Sequence, residues 1–161
     1  MSSDEVVHRL LREDGEVKSA LADRFGSEVI GGEGADRAAL ARLVFTDRAE
    51  LIWLEELLHP KVVREYHAWR DELAKRPEPP RVAVMEVPLL YETGGEGRFD
   101  AVLVITAAPG VREQRRPVSD ERAMRLIPDE EKARRADYVY SNEGSLDELD
   151  AFVADLLERL G

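Results

Sequence analysis

Three short apolar runs, RVAVMEVPLL, DAVLVIT and DYVYSN, constrain this chain more than any other feature. They are rich in β-branched residues, and apolar residues follow one another instead of alternating with polar ones. Such runs suit strands covered on both faces. Helix-like segments separate them, and strands alternating with helices predict an α/β fold: a parallel sheet with flanking helices. Three strands are few for such a sheet, because each inner strand needs a neighbour on both sides.

Ahead of the strands the texture is helical. Periodic segments run through Glu5–Arg12 and Glu16–Arg24. The glycine-rich FGSEVIGGEGADR then breaks the pattern and ends in Asp36, a good N-cap for RAALARLVF. A longer helical stretch from about Asp47 to Lys75 sets Leu51, Leu54, Leu57 and Leu58 on one face. Pro60 is expected to kink or split it. RPEPPR is a stiff connector to the strand-bearing half. SLDELDAFVADLLERL closes the chain as an amphipathic helix capped by Ser145.

The bulk numbers narrow the function classes. The 161 residues carry 34 acidic and 23 basic side chains, a net charge of -11. That argues against broad binding to nucleic acid or to anionic membranes. With no cysteine, disulfides and thiolate metal sites are excluded, and three scattered histidines do not suggest a structural zinc. MSSDE lacks the basic and apolar regions of a signal peptide, and no apolar run is long enough to span a bilayer, so a cytoplasmic protein is expected.

Ligands of open parallel sheets bind at the carboxyl ends of the strands. Pro88–Glu92, the segment AAPGVREQRR and Asn142–Gly144 follow the three runs. The first half adds Asp4, His8, Arg37, His59 and Pro60. VREQRRPVSDERAMRL concentrates Arg112, Arg115, Arg116, Arg122 and Arg125. Two readings stand side by side: a solvated helix face paired with Glu113, Asp120 and Glu121, or a lid whose guanidinium groups clamp phosphate oxygens.

In order along the chain stand SSDEVVHRLL, LEELLHPKV, VMEVPLLYETG with FDAVLVITA, and PDEEKARRADYVYSNEGSLDEL. Together they strongly resemble the dephospho-coenzyme A kinases of the P-loop nucleotide-kinase superfamily, and the resemblance covers nearly the whole chain. It implies transfer of the γ-phosphoryl of ATP, with Mg2+, to the ribose 3′-hydroxyl of dephospho-coenzyme A. It implies a P-loop kinase-like sheet as one domain over residues 1–161, with a helical acceptor-site region over about 5–75 and a lid over about 109–127. In that family a first strand, a G-x-x-x-x-G-K-[ST] loop, a helix and a second strand precede the segments seen here. No such loop occurs in the 161 residues, and GGEGAD, without Lys-Ser/Thr, is a turn. The chain is therefore expected to be N-terminally incomplete and inactive as it stands. It is expected to be monomeric when complete and open to edge-mediated association as it is. The alternative is a non-catalytic protein that binds coenzyme A-like ligands or a partner protein.

The resemblance also implies site roles. Asp4 matches the acid beside the acceptor hydroxyl, with Ser2 in place of a first acid; Asp4 as a plain N-cap fits the residues equally well. Arg115 and Arg122 match catalytic lid arginines, while Leu126 stands where the family has Gln, and the lid is several residues shorter than usual. His8, Arg37, His59, Pro60, Tyr91 and Glu92 are candidates for binding the acceptor. For His59 the competing reading is a histidine satisfied by a backbone carbonyl at a helix break. Arg112, Asn142 and Gly144 are candidates for ATP, Asn142 being equally suited to cap the turn before Ser145. Glu86 is a candidate for a magnesium-bound water, or else for pairing with an arginine.

Overall fold

The computed structural model describes residues 1–115 and 126–161. They divide into two units, Met1–Val87 and Pro88–Gly161. The first is helical. Helix α1 (Ser3–Glu13) and helix α2 (Gly15–Phe25) are joined at Asp14, whose carboxylate accepts from the Val17 N–H at 2.9 Å and so starts α2. Val6 and Leu10, then Val17 and Leu21, recur at a spacing of four and form one buried stripe on each helix. Helix α3 (Arg37–Val44) begins at the expected cap, with Asp36 accepting from the N–H groups of Ala38 and Ala39. Leu40 of α3 and Leu58 of helix α4 (Arg48–Ala74) close the core with Val29. Each such burial contributes about 2 kcal/mol.

The glycine-rich stretch is a hairpin. Strand β1 (Ile30–Gly31) pairs antiparallel with strand β2 (Gly34–Ala35) across a two-residue turn. Gly34 has φ 114°, and a Cβ there would run into the backbone of Arg12. Glycine is thus needed both for the left-handed backbone and for close approach to α1.

Of the two outcomes expected at Pro60, a kink or a split, the split does not occur. α4 continues for 27 residues with Pro60 inside. An interior proline costs roughly 3 kcal/mol. Packing on both sides of it offsets that cost, since Leu58 and Lys61 are both buried. The Lys61 ammonium donates to Asp14 at 2.9 Å and Glu16 at 2.7 Å, tying the middle of α4 to the α1–α2 junction. Those two carboxylates, Glu16 first, hold the Lys61 pKa above its ordinary value.

The run Val82–Val87 also departs from expectation. It makes one parallel bridge, Ser2 to Glu86, and no continuous strand among the described residues. Glu86 N–H donates to the Met1 carbonyl and Ser3 N–H to the Glu86 carbonyl.

In the second unit, strand β3 (Leu103–Thr106) pairs in parallel with strand β4 (Tyr138–Ser141), Leu103 opposite Tyr138. Helices α5 (Pro109–Arg115) and α6 (Asp129–Arg135) lie between them in sequence, and α7 (Leu146–Leu160) ends the chain. This is the expected α/β arrangement. α7 opens with a reciprocal box: Ser145 caps Glu148, and the Glu148 carboxylate accepts from Ser145. Tyr140 of β4 stacks on Phe152 of α7, ring centroids 4.5 Å apart. The expected cover on both faces of the strands is not met among the described residues. Ile105 is 60% exposed, Val139 45% and Val84 69%. An apolar run records what a strand is able to bury; only neighbouring chain can bury it. No described helix is long and apolar enough to cross a membrane.

Candidate active site

In the first unit, the chain from Met1 to Ser3 runs parallel to Val84–Glu86, so Asp4 and Glu86 stand at the carboxyl end of that pairing. Asp4 is not the N-cap. Ser2 occupies that position, with extended backbone and no side-chain cap bond, and Asp4 lies in the first turn of α1. Its exposed carboxylate is therefore not consumed by capping, and it sits where the helix dipole favours an anion. His8 lies one turn further along α1, exposed. Arg37 is the exposed first residue of α3. His59 and Pro60 are exposed in the middle of α4. The helix break invoked for a backbone-satisfied His59 does not exist, because α4 is continuous.

In the second unit, the carboxyl ends of β3 and β4 are joined by polar contacts. Asn142 N–H donates to the Thr106 carbonyl at 2.8 Å. Arg115 donates to the Asn142 carbonyl at 2.9 Å. The Glu143 carboxylate accepts from the Ala108 N–H and the Ser141 hydroxyl. Arg115 and Asn142 are thus brought together by the fold, with Arg115 holding the backbone of the Asn142 loop. Arg112 pairs with Asp129 at 2.7 Å, an exposed ion pair and a different partner from the acids named by sequence proximity. Gly144 adjoins the α7 cap, where a Cβ would collide with the Glu148 carboxylate. Arg122, with Arg116 and Arg125, lies outside the described residues.

Tyr91 and Glu92 are largely withdrawn from solvent. Tyr91 is 7% exposed, with the Arg135 guanidinium 4.4 Å above its ring. Arg135 also pairs with Glu96. Burial pushes the Tyr91 phenol up. Glu92 pairs with Lys132 at 2.6 Å and accepts from the Ile127 N–H at 3.0 Å. Its remaining oxygen is buried without a partner among the described residues, as are the Tyr91 hydroxyl and one oxygen of Glu96. Lys132, Arg135, Glu96 and Glu143 were not singled out from the sequence. The basic pair three residues apart in PDEEKARR was the available signal, because that spacing sets both on one face of α6.

Burial raises the Glu92 carboxyl, but the bond and charge of Lys132 and the N–H of Ile127 outweigh it and hold it below the ordinary carboxylate value. A lowered folded-state pKa contributes stability at neutral pH, and that contribution is lost as pH falls through the folded value. Lys132→Met is expected to strand Glu92 as a buried, unpaired charge. The expected cost is about 3 kcal/mol, the low end for such a pair because each side chain keeps some contact with water. Urea unfolding at pH 7 measures it. Lys132→Met with Glu92→Gln should recover most of the loss. A loss no larger in the single than in the double variant would contradict the pairing argument.

A metal needs a different donor set. No group of three or more His, Asp or Glu side chains gathers among the described residues. Asp4 and Glu86 are two carboxylates at one end of a parallel pairing, which suits Mg2+ held by one or two carboxylates and completed by water and phosphate.

Comparison with known proteins bears on this arrangement. The family model for dephospho-CoA kinase matches residues 1–148. A protein of Mesorhizobium japonicum named dephospho-CoA kinase is 37% identical over 172 residues, covering 99% of this chain and 84% of that relative. The crystal structure of TT1252 from Thermus thermophilus superposes with a TM-score of 0.76 at 34% identity, covering 100% of this chain and 84% of that one. The dephospho-CoA kinase structure from Campylobacter jejuni gives 0.72 at 22% identity, over 99% and 83% of the two chains, a likeness of fold. By a family match over most of its length and by relatives that it covers by more than four fifths, this chain belongs to the dephospho-CoA kinase family.

Proposed function

We propose that this chain carries the acceptor-side and adenine-side elements of an ATP-dependent kinase acting on the ribose 3′-hydroxyl of dephospho-coenzyme A. The observation that carries the reading is the parallel pairing of Ser2 with Glu86, with an uncapped, exposed Asp4 at its carboxyl end. That is where open parallel sheets bind ligands. Family membership supports the choice of reaction.

In this reading the 3′-oxygen attacks the γ-phosphorus of ATP, the bond from that phosphorus to the β,γ-bridging oxygen breaks, and Asp4 takes the hydroxyl proton. The helical region over about 5–75 serves the acceptor, with His8, Arg37, His59 and Pro60 as its candidate contacts. Tyr91 and Glu92 shape the segment after Pro88 from within. Asn142 and Gly144, steadied by Arg115, border the adenine. Arg112, Arg115 and Arg122 supply charge near the phosphates. Glu86 would hold Mg2+ through a bound water, and the ion would supply charge neutralisation at the phosphates. Phosphoryl transfer is mostly positioning and charge neutralisation, so these roles suffice only beside a phosphate cradle.

The experiment joins this chain behind the strand, phosphate loop and helix that the family resemblance implies. The fusion is expected to convert dephospho-coenzyme A and ATP to coenzyme A and ADP, and to leave adenosine and AMP untouched. A folded fusion that phosphorylates AMP or adenosine in preference would assign a different acceptor.

A further inference from the structure

The first unit contains a cavity of about 610 Å³ between α1 and the last third of α4. Its volume lies within the range of small-molecule sites. One wall presents Glu5, His8, Arg9 and Arg12. The other presents Glu65, Trp69 and Glu72 at helical spacing, with Ala68 leaving room beside the indole. Nothing in the sequence pattern singled out Trp69.

The charges of this groove decide what it can hold. Arg9 makes a two-pronged pair with Glu65, at 2.9 and 3.4 Å, across the helix crossing. Arg12 is bound by Glu13 at 2.6 Å. The Met1 ammonium is turned onto the Val84 carbonyl at 2.9 Å. Every lysine-, arginine- or terminus-type cation of the groove is therefore engaged. Glu5 and Glu72 have no ion-pair partner among the described residues. A phosphate or pyrophosphate entering here would meet two uncompensated carboxylates and no free guanidinium. An uncharged chain with amide N–H and hydroxyl donors would find carboxylate acceptors on both walls and an apolar plate in Trp69.

We infer that this groove is a subsite for the neutral, amide-bearing pantetheine arm of the acceptor, with Trp69 and Ala68 as contact residues and Glu5 and Glu72 as hydrogen-bond acceptors. The choice of ligand rests on the kinase reading above; the preference for a neutral arm over a phosphate rests on the charges.

The test uses the chain itself. It holds two tryptophans, so Trp53→Phe leaves Trp69 as the sole indole while keeping an aromatic ring against Phe25. Trp69 emission is followed on titration with pantetheine, adenosine or inorganic pyrophosphate. A saturable change with pantetheine alone is expected, and Ala68→Phe, which fills the groove, should weaken it by about tenfold or more. No response to pantetheine, an equal response to pyrophosphate or adenosine, or indifference to Ala68→Phe overturns the inference. The two readings separate cleanly. If the loop-bearing fusion keeps its KM for dephospho-coenzyme A after Ala68→Phe, the groove assignment falls and the kinase reading stands. If pantetheine binds but the fusion never phosphorylates, the kinase reading falls alone.

Discussion

The 161-residue polypeptide by itself is expected to show no ATP-dependent phosphorylation of dephospho-coenzyme A above background. A kinase of this superfamily stabilises the transferring phosphoryl group with a row of backbone N–H groups, a lysine and a metal-ligating hydroxyl from one glycine-rich loop. Those residues are absent from this sequence: of its two glycine-rich stretches, GGEGAD forms the β1–β2 hairpin and TGGEGR carries no Lys-Ser/Thr. Loss of a single preorganised donor costs about 3–4 kcal/mol of transition-state stabilisation, and here several are lost together. Side-chain charge from Arg112 and Arg115 does not replace a cradle of backbone N–H groups and a metal-ligating hydroxyl. A coupled assay for ADP, or direct chromatography of coenzyme A, reads the outcome. Turnover that tracks with the purified 161-residue species would overturn the argument.

Asp4→Asn in the loop-bearing fusion is expected to lower kcat by about 100-fold or more, with a much smaller change in KM. General-base removal typically costs about 10²–10⁴-fold. Asn keeps the size and the hydrogen-bonding reach of Asp, so the loss isolates the charge and the proton acceptor. The variant should fold normally, because the carboxylate caps nothing and makes no described bond. Coincident urea curves for parent and variant check that. An unchanged kcat would remove Asp4 from the chemistry and leave it as a first-turn acid favoured only by the helix dipole.

Local chemistry was legible in the sequence wherever a few neighbouring residues decide the outcome. Asp36 and Ser145 start their helices as read, because a cap bond spans only two or three residues. GGEGAD is a turn as read, because glycine and missing Lys-Ser/Thr are local facts. Alternating helices and β-branched runs established the α/β class, and ordered motifs pointed to the family. At Pro60 the expected split does not occur, because remote packing acts there. Its local penalty is real, but buried Leu58 and Lys61, held by residues forty or more positions away, outweigh it.

Other features were decided by tertiary structure alone. Val82–Val87 makes a single bridge and no continuous strand among the described residues, and periodicity says nothing about which neighbours a run will meet. Asp4 suits an N-cap by its residue type, yet Ser2, bridged to Glu86, takes that position without a side-chain cap bond. Glu92 reads as an exposed site acid until Lys132, forty positions on, arrives to neutralise it under cover. Trp69 lines a groove only because α1 crosses α4 there. Charge pairing, burial and cavities are properties of distances between remote residues. A sequence lists which groups are available to meet, and the packing of the core determines which of them do.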